Sequence, residues 1–459
     1  MPRFHVRITG ADSEAMADLV RRHKVNVAIH TLEKRAKGRY RVDAHVTGTQ
    51  IRALESAGYE VARREDADKT GKARQKEIRK LTKASIAALE ETPVEVAAVG
   101  QYLNVAEVEA ALAAAASPPN ESFTKLVRLP NKTWGNRVCN AIKIAKGGGA
   151  NRPGIFFVGG IHSREWGSCD ILINFVQQLS SAYRSNSSVT IGSKTFSAAD
   201  IQKIVNEKDL IVFPQANPDG RQFSMTQQSM WRKNRRPAPA GSGPTCVGVD
   251  LNRNYDFLWN YTQFFDPNAP IVNSKDCHED IFIGPAVFSE PETKNVRWVF
   301  DSYPNVGYFI DIHSYSEAIL YNWGDDVNQT TTPAMNFRNP AFDGKRGIVS
   351  DTAYKEHIKS ADKTIAIKLA NGMRDAIKAV RNRAYKVMQS TDLYPTAGTS
   401  TDYAFSRHLS DATKAKVFSY TIEWGSPDNQ TPFHPPYPEM KKIIQEITAA
   451  LFDFCIRAT

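Results

Sequence analysis

The stretch Gly154-Ile155-Phe156-Phe157-Val158-Gly159-Gly160-Ile161-His162-Ser163-Arg164-Glu165-Trp166 decides how the chain is read. A short apolar run bounded by glycines is the pattern of a buried strand. It carries a histidine, an arginine and a glutamate to its carboxyl end, where open α/β sheets place their ligand sites. His162 and Glu165 stand three residues apart, so an imidazole and a carboxylate can reach one divalent ion from the same side, and N/O ligation of this kind suits zinc. Taken alone the pair is weak, because a surface salt bridge or a core histidine accounts for most His-x-x-Glu sequences.

A third donor changes the balance. Val306-Gly307-Tyr308-Phe309-Ile310-Asp311-Ile312-His313-Ser314 is another buried-strand pattern that ends in a histidine. Two strands of one sheet can bring His313 beside His162 and Glu165. Two histidines and a carboxylate leave one zinc position open to water, the ligation of catalytic rather than structural zinc.

Five motifs then follow one another over about 350 residues: Gly160-Ile161-His162-Ser163-Arg164-Glu165-Trp166, Met230-Trp231-Arg232-Lys233-Asn234-Arg235, Cys246-Val247-Gly248-Val249-Asp250-Leu251-Asn252-Arg253-Asn254, Asp311-Ile312-His313-Ser314-Tyr315-Ser316 and Tyr420-Thr421-Ile422-Glu423-Trp424. In these motifs and their order, the chain from about Tyr102 to Phe454 resembles the zinc metallocarboxypeptidases of the pancreatic carboxypeptidase A/B type. The resemblance implies hydrolysis of the C-terminal peptide bond of peptides and proteins, with one zinc held by His162, Glu165 and His313. It implies Glu423 as general base, Arg232 as the cation that polarises the scissile carbonyl, and Asp250 as the carboxylate that orients His162. Asn252 and Arg253 match the clamp on the terminal carboxylate, while Arg164, Ser314 and Tyr315 match the substrate path. Tyr394 matches a tyrosine that closes over substrate, and counting forward from it places Thr401 at the position that sets side-chain preference. The family has an aliphatic residue there for apolar C-termini and an aspartate for Lys or Arg. Thr401 is neither, so the expectation is a preference for apolar and aromatic C-terminal residues. The resemblance also implies a disulfide between Cys246 and Cys277, leaving Cys139, Cys169 and Cys455 as buried thiols.

A chain of 459 residues exceeds one comfortable core, which predicts two domains, one of them large. No run approaches the ~18 apolar residues of a membrane span, so no membrane association is expected. The net charge of +10 gathers partly in one segment, where Lys69, Lys72, Arg74, Lys76, Arg79, Lys80 and Lys83 face the single acid Glu77. With no aromatic interleaved, this is a solvated helix or linker rather than a nucleic-acid site. A monomer is expected. The opening Met1-Pro2-Arg3-Phe4-His5-Val6-Arg7 lacks the apolar core of a signal peptide. One disulfide and sequons at Asn120, Asn131, Asn186, Asn260, Asn328 and Asn429 favour an extracellular setting, and the compartment stays open.

Periodicity divides the chain into three parts. Residues 1–64 alternate as strand, helix, strand, strand, helix, strand, a small βαββαβ sandwich of the α+β class. Residues 65–100 are a basic connector with a helix expected over Lys83–Leu89. Residues 101–459 alternate strands with helices, which predicts an α/β domain with a mixed parallel and antiparallel central sheet and helices on both faces. Asn217-Pro218-Asp219-Gly220 reads as a turn. The layout of a small module followed by a basic connector resembles that of the family's zymogens, whose prodomain covers the active site; a permanent accessory domain is the competing reading. Two other enzyme classes share the His-x-x-Glu and distant His: deacylases of the succinylglutamate-desuccinylase type and bacterial cell-wall peptidases. Arg232, Asn252, Arg253 and Tyr394 favour the carboxypeptidase over the deacylase, and digestion of muropeptides is what would reveal a cell-wall peptidase. A zinc-binding pseudoenzyme would need a missing catalytic group, and none is missing.

Overall fold

The computed structural model describes residues 3–23, 25–78, 96, 100–148, 152–427 and 432–459. The helix expected over Lys83–Leu89 lies outside them.

The N-terminal module is the sandwich expected. Strands β1 (Arg3–Gly10), β2 (Asn26–Lys34), β3 (Tyr40–Thr47) and β4 (Glu60–Asp66) form one sheet in the order β2-β3-β1-β4. Asp12 caps the helix Ser13–Arg21, its side chain accepting from Ala15 N at 2.8 Å, and Thr47 with Gln50 forms a capping box at the helix Gly48–Ser56. Because side chains alternate across a strand, Val6, Ile8, Val42, Ala44 and Val46 share one face and are buried with Leu19, Ile51 and Leu54 of the helices. The residues between them, His5, Arg7, Asp43 and His45, belong to the opposite face.

The large module is organised on an eight-stranded sheet. Its chain gives β5 (Thr124–Arg128), β6 (Asn140–Ile144), β7 (Gly154–Gly159), the hairpin β8 (Val189–Ile191) and β9 (Lys194–Phe196), β10 (Asp209–Phe213), β11 (Val306–Ser314) and β12 (Ala318–Tyr321). The paired segments β13 (Asn328–Gln329) and β14 (Glu356–His357) follow, then β15 (Lys386–Gln389) and β16 (Phe418–Trp424). The sheet order is β15-β12-β16-β11-β7-β10-β6-β5. Strands β16, β11, β7 and β10 run parallel at its centre, while β12 against β16, β6 against β10 and β5 against β6 are antiparallel.

Every residue of β7 and β10 is buried, which is why the sequence there is apolar without alternation. Ile155 and Phe157 join a core with the helices Gly167–Ser185, Ser360–Arg381 and Tyr437–Arg457. Phe156 and Val158 point the other way, against the helices Pro291–Ser302 and Ser400–Ser410. Each fully buried side chain of this size contributes about 1.5–3 kcal/mol from apolar transfer, and together they fix the strand that carries His162.

Two local readings change. The Asn217–Gly220 turn is the first turn of the helix Pro218–Thr226: Pro218 starts it and Asn217 Oδ1 accepts from Gly220 N at 2.9 Å. The basic connector begins as the helix Ala67–Glu77, which keeps Lys69, Lys72 and Lys76 exposed as expected but packs its Ala67–Gly71 side on the large module. A Cβ added to Gly71 would come within 2.0 Å of Ser229 Oγ, so only glycine permits this approach. Gln75 Nε2 donates to Ser224 O at 2.7 Å.

Candidate active site

Gly160 turns the chain at the end of β7. Its φ is +68°, and a Cβ there would lie 2.9 Å from Cys169 Sγ. The turn sets His162 through Glu165 over the carboxyl ends of the parallel strands. Ser163 fastens this segment, its Oγ donating to Lys233 O at 2.7 Å and its N to Arg232 O at 3.0 Å. The parallel ladder between β11 and β16 pairs His313 with Glu423, so register alone puts that carboxylate beside the histidine.

Three donor atoms converge. His162 Nδ1 lies 2.9 Å from Glu165 Oε1, His313 Nδ1 lies 3.0 Å from Glu165 Oε2, and the two Nδ1 atoms are 3.0 Å apart. All three residues are buried. Both outer ring nitrogens face carboxylates: His162 Nε2 is 3.1 Å from Asp250 Oδ1, and His313 Nε2 is 2.9 Å from Asp311 Oδ1, close but off the line of a straight hydrogen bond. A proton held on each Nε2 leaves both Nδ1 lone pairs aimed at one point, as a divalent ion with N/O ligands requires. Asp311 was not singled out from sequence. Its place two residues before His313, on the same face of one strand, was the available signal.

Asp250 does a second job. Its Oδ2 accepts from Arg232 Nε at 3.0 Å and Nη2 at 2.9 Å, so one carboxylate orients a candidate ligand and the candidate electrophile together. Burial alone would raise its pKa, but Arg232 and His162 outweigh that and hold it well below the usual range. Glu165 is likewise held down by His162 and His313 against its burial. Burial pushes Glu423 up to about 7, with nearby Glu165 adding to the rise and His313 and Arg232 opposing it. Burial, then the like charge of Arg232, pulls Arg164 down to about 10.

The remaining expected residues fall into two groups. Asn252, Arg253, Arg164, Arg232, Ser314, Tyr315, Tyr394 and Glu423 line the same cavity as His162 and Glu165. Arg253 is buried, with Nε donating to Val272 O at 2.7 Å and Nη1 to Asn252 O at 2.6 Å. Asn252 Oδ1 accepts from Ser400 N at 2.9 Å. Thr401 is buried in the helix Ser400–Ser410 behind the site and is not among the cavity-lining residues.

The cavity holds about 80 Å³. That is far below the several hundred cubic ångströms of a small-molecule site, and the N-terminal sheet forms part of its wall through Val27 and His45. His45 also packs on Phe433 at 5.2 Å and edge-on to Tyr315 at 5.7 Å between ring centres.

This sheet, the strand-end donor set and its carboxylate frame define a mononuclear hydrolase site, and comparison with known proteins gives the class. The family model for zinc carboxypeptidases matches residues 112–450. The chain is 31% identical over 293 residues to carboxypeptidase B of Astacus astacus, covering 63% of this chain and 76% of that one. It is 34% identical over 200 residues to carboxypeptidase A2 of Mus musculus, a match spanning 42% of either chain. Among solved structures, carboxypeptidase A from Helicoverpa armigera superimposes with a TM-score of 0.69 at 20% identity, covering 99% of this chain and 98% of that one. Thrombin-activatable fibrinolysis inhibitor gives 0.68 at 18% identity, covering 100% and 99%. At these identities the superpositions establish the fold. The chain belongs to the zinc carboxypeptidase family, and its cofactor is zinc. The expected disulfide joins Cys246 and Cys277, with Cys139, Cys169 and Cys455 buried as thiols. Among the described residues no helix is long and apolar enough to cross a membrane.

Proposed function

We propose that this chain removes C-terminal residues from peptides, preferring apolar and aromatic ones, with Glu423 as general base and the N-terminal module as a covering prodomain. The observation that carries the reading is the convergence of His162, Glu165 and His313, the first two lining a cavity that Arg232, Arg253 and Glu423 also line. Zinc held by those three residues supplies Lewis acidity, lowering the pKa of water and polarising the scissile carbonyl. Glu423 takes the proton of the attacking water on its carboxylate and returns it to the leaving amine nitrogen.

Arg232 faces the charge that develops on the carbonyl oxygen, held in place by Asp250 so that little reorganisation accompanies the reaction. Arg253 and Asn252 receive the terminal carboxylate through a guanidinium fork, and Tyr394 closes over the substrate. The apolar preference is supported by Leu393 in the wall and by the state of Asp402, the acid next to Thr401. Asp402 is already engaged by Asn322 Nδ2 at 2.7 Å, Gly324 N at 3.1 Å and Thr399 Oγ1 at 2.9 Å, and burial pushes it up to about 6. It offers no free carboxylate to a Lys or Arg side chain. The covering role rests on the cavity's small volume with Val27 and His45 in its wall.

The test combines metal analysis with kcat/KM on blocked dipeptides ending in Phe, Leu, Lys and Glu, before and after tryptic nicking of the connector. The reading expects one zinc per chain, lost in His313→Ala, Phe and Leu ahead of Lys and Glu, and a rate increase on nicking. Full zinc and activity in His313→Ala would remove the ligand set. Lys equal to Phe would remove the specificity reading, and unaltered rates after nicking would make the module a permanent accessory.

A further inference from the structure

The mouth of the cleft carries a feature that the hydrolytic residues do not use. Arg3, at the start of β1, extends its guanidinium across the module boundary to Asp280, and the same Asp280 oxygen lies 3.7 Å from Arg164 Nη1. Arg164 lines the cavity beside His162 and Glu165 while Asp280 lines an adjoining groove, so Asp280 stands next to the site where the amino-terminal side of a bound peptide has room to pass.

Asp280 is firmly placed. The Cys246–Cys277 disulfide anchors its loop three residues earlier, and Ser274 closes it from both sides, its N donating to Ile281 O at 3.1 Å and its O accepting from Ile283 N at 3.0 Å. Glu279 adds negative charge next to it, and both acids act on Arg3. Arg164 faces Asp280 as a charge without making the hydrogen bond that Arg3 makes. At 3.7 Å it is beyond hydrogen-bonding distance, its guanidinium is drawn over the Phe433 ring at 4.5 Å, and its Nε and Nη1 find no protein acceptor. When β1 departs, Asp280 keeps its site, loses its charge-assisted hydrogen bond and is left as a part-exposed carboxylate that a basic side chain can meet.

Resting on the carboxypeptidase reading above, we propose that Asp280 is a specificity-determining residue, a subsite for a Lys or Arg side chain on the amino-terminal side of the scissile bond. Arg3 is its occupant in the closed protein. The preferred substrate is therefore a peptide with an apolar C-terminal residue and a basic residue upstream of it.

The experiment uses the full-length zinc-loaded chain, intact and after tryptic nicking with the trypsin then inactivated. Substrates are hexapeptides ending in Phe that carry Lys, Ala or Glu at each of the three positions before the scissile bond. The readout is the Lys-to-Glu ratio of kcat/KM within one preparation, which is independent of the active fraction. A ratio on the order of tenfold is expected at one position, the scale of a hydrogen bond to a charged partner. It should fall to within about threefold in Asp280→Asn and invert in Asp280→Lys, an inversion that structural damage would not produce. Arg3→Ala should raise the rate of the Lys peptide in the intact chain. A wild-type ratio near one at all positions, or one unchanged by Asp280→Asn, overturns the proposal while leaving the carboxypeptidase reading in place. If neither intact nor nicked chain shortens any peptide, or the blocked dipeptide hippuryl-Phe, the carboxypeptidase reading itself falls.

Discussion

Mild acid should loosen the N-terminal sheet from the catalytic body, with His45 as the responsible group. His45 is half-buried and lines the cavity. His5 of β1 stacks on it at 5.0 Å. Tyr315 presents its hydroxyl 3.5 Å from Nδ1, Phe433 covers another side, and the charged or titratable neighbours are Arg164, Arg3 and His434. Asp43, two residues earlier on β3, is committed to Arg7 and Arg64. Burial, followed by the neighbouring His5 ring and Arg164 guanidinium, holds the His45 pKa well below its usual value.

The sign follows from linkage. Undocked, the imidazole titrates near 6.5; docked, it stays neutral well below that. Docking is therefore at full strength above about pH 6.5, and each unit below it costs about 1.4 kcal/mol for as long as the docked ring resists protonation. A fall of one and a half units would weaken docking by about 2 kcal/mol, some thirtyfold. The assay is small-angle scattering of the full-length protein between pH 7.5 and 5, with near-ultraviolet circular dichroism as a check that the catalytic body stays folded. The radius of gyration should rise below pH 6.5 in the wild type and stay flat in His45→Phe, which keeps an aromatic ring and removes the titration. A constant radius in the wild type, or the same rise in both proteins, would refute the reasoning.

Glu423→Gln should keep zinc and fold while losing ~10²-fold or more in kcat, the scale of a positioned proton-transfer group; an undiminished turnover number would take it out of the mechanism. Arg253→Ala should raise KM for substrates with a free terminal carboxylate, and wild-type protein should cleave C-terminal amides poorly; equal cleavage of amide and acid would contradict the clamp. The buried acids Asp325 and Glu356 crowd each other. Burial and then the Glu356 charge drive Asp325 well above the usual range, and burial raises Glu356 to about 7. Folded-state protons retained on such acids support stability at low pH, and that support is lost as pH rises toward 7. Asp325→Asn should thus raise Tm more at pH 8 than at pH 5, and an equal shift at both would show that the pair does not share a proton.

The central strands were legible because burial on both faces leaves an unmistakable composition: β7 is apolar throughout, and all of it is buried. His162, Glu165 and His313 were legible for a related reason, since parallel strands end together and a donor at each end must meet. The local misreading at Asn217–Gly220 arose because an Asn-Pro-Asp-Gly run serves equally as a turn or as the cap and first turn of a helix. The hydrogen bond to Gly220 N is common to both. The N-terminal module shows where sequence reasoning runs out. Its alternation gave every strand, yet alternation says only that His5, Arg7, Asp43 and His45 share a face. It does not say that the face meets Tyr315 and Phe433, nor that Arg3 finds Asp280 some 277 positions away. In isolation the pattern reads as an ordinary solvated face, because His, Arg and Asp are what water-exposed strands carry. The informative quantity is a half-buried histidine beside cations, and that exists only once two modules are in contact.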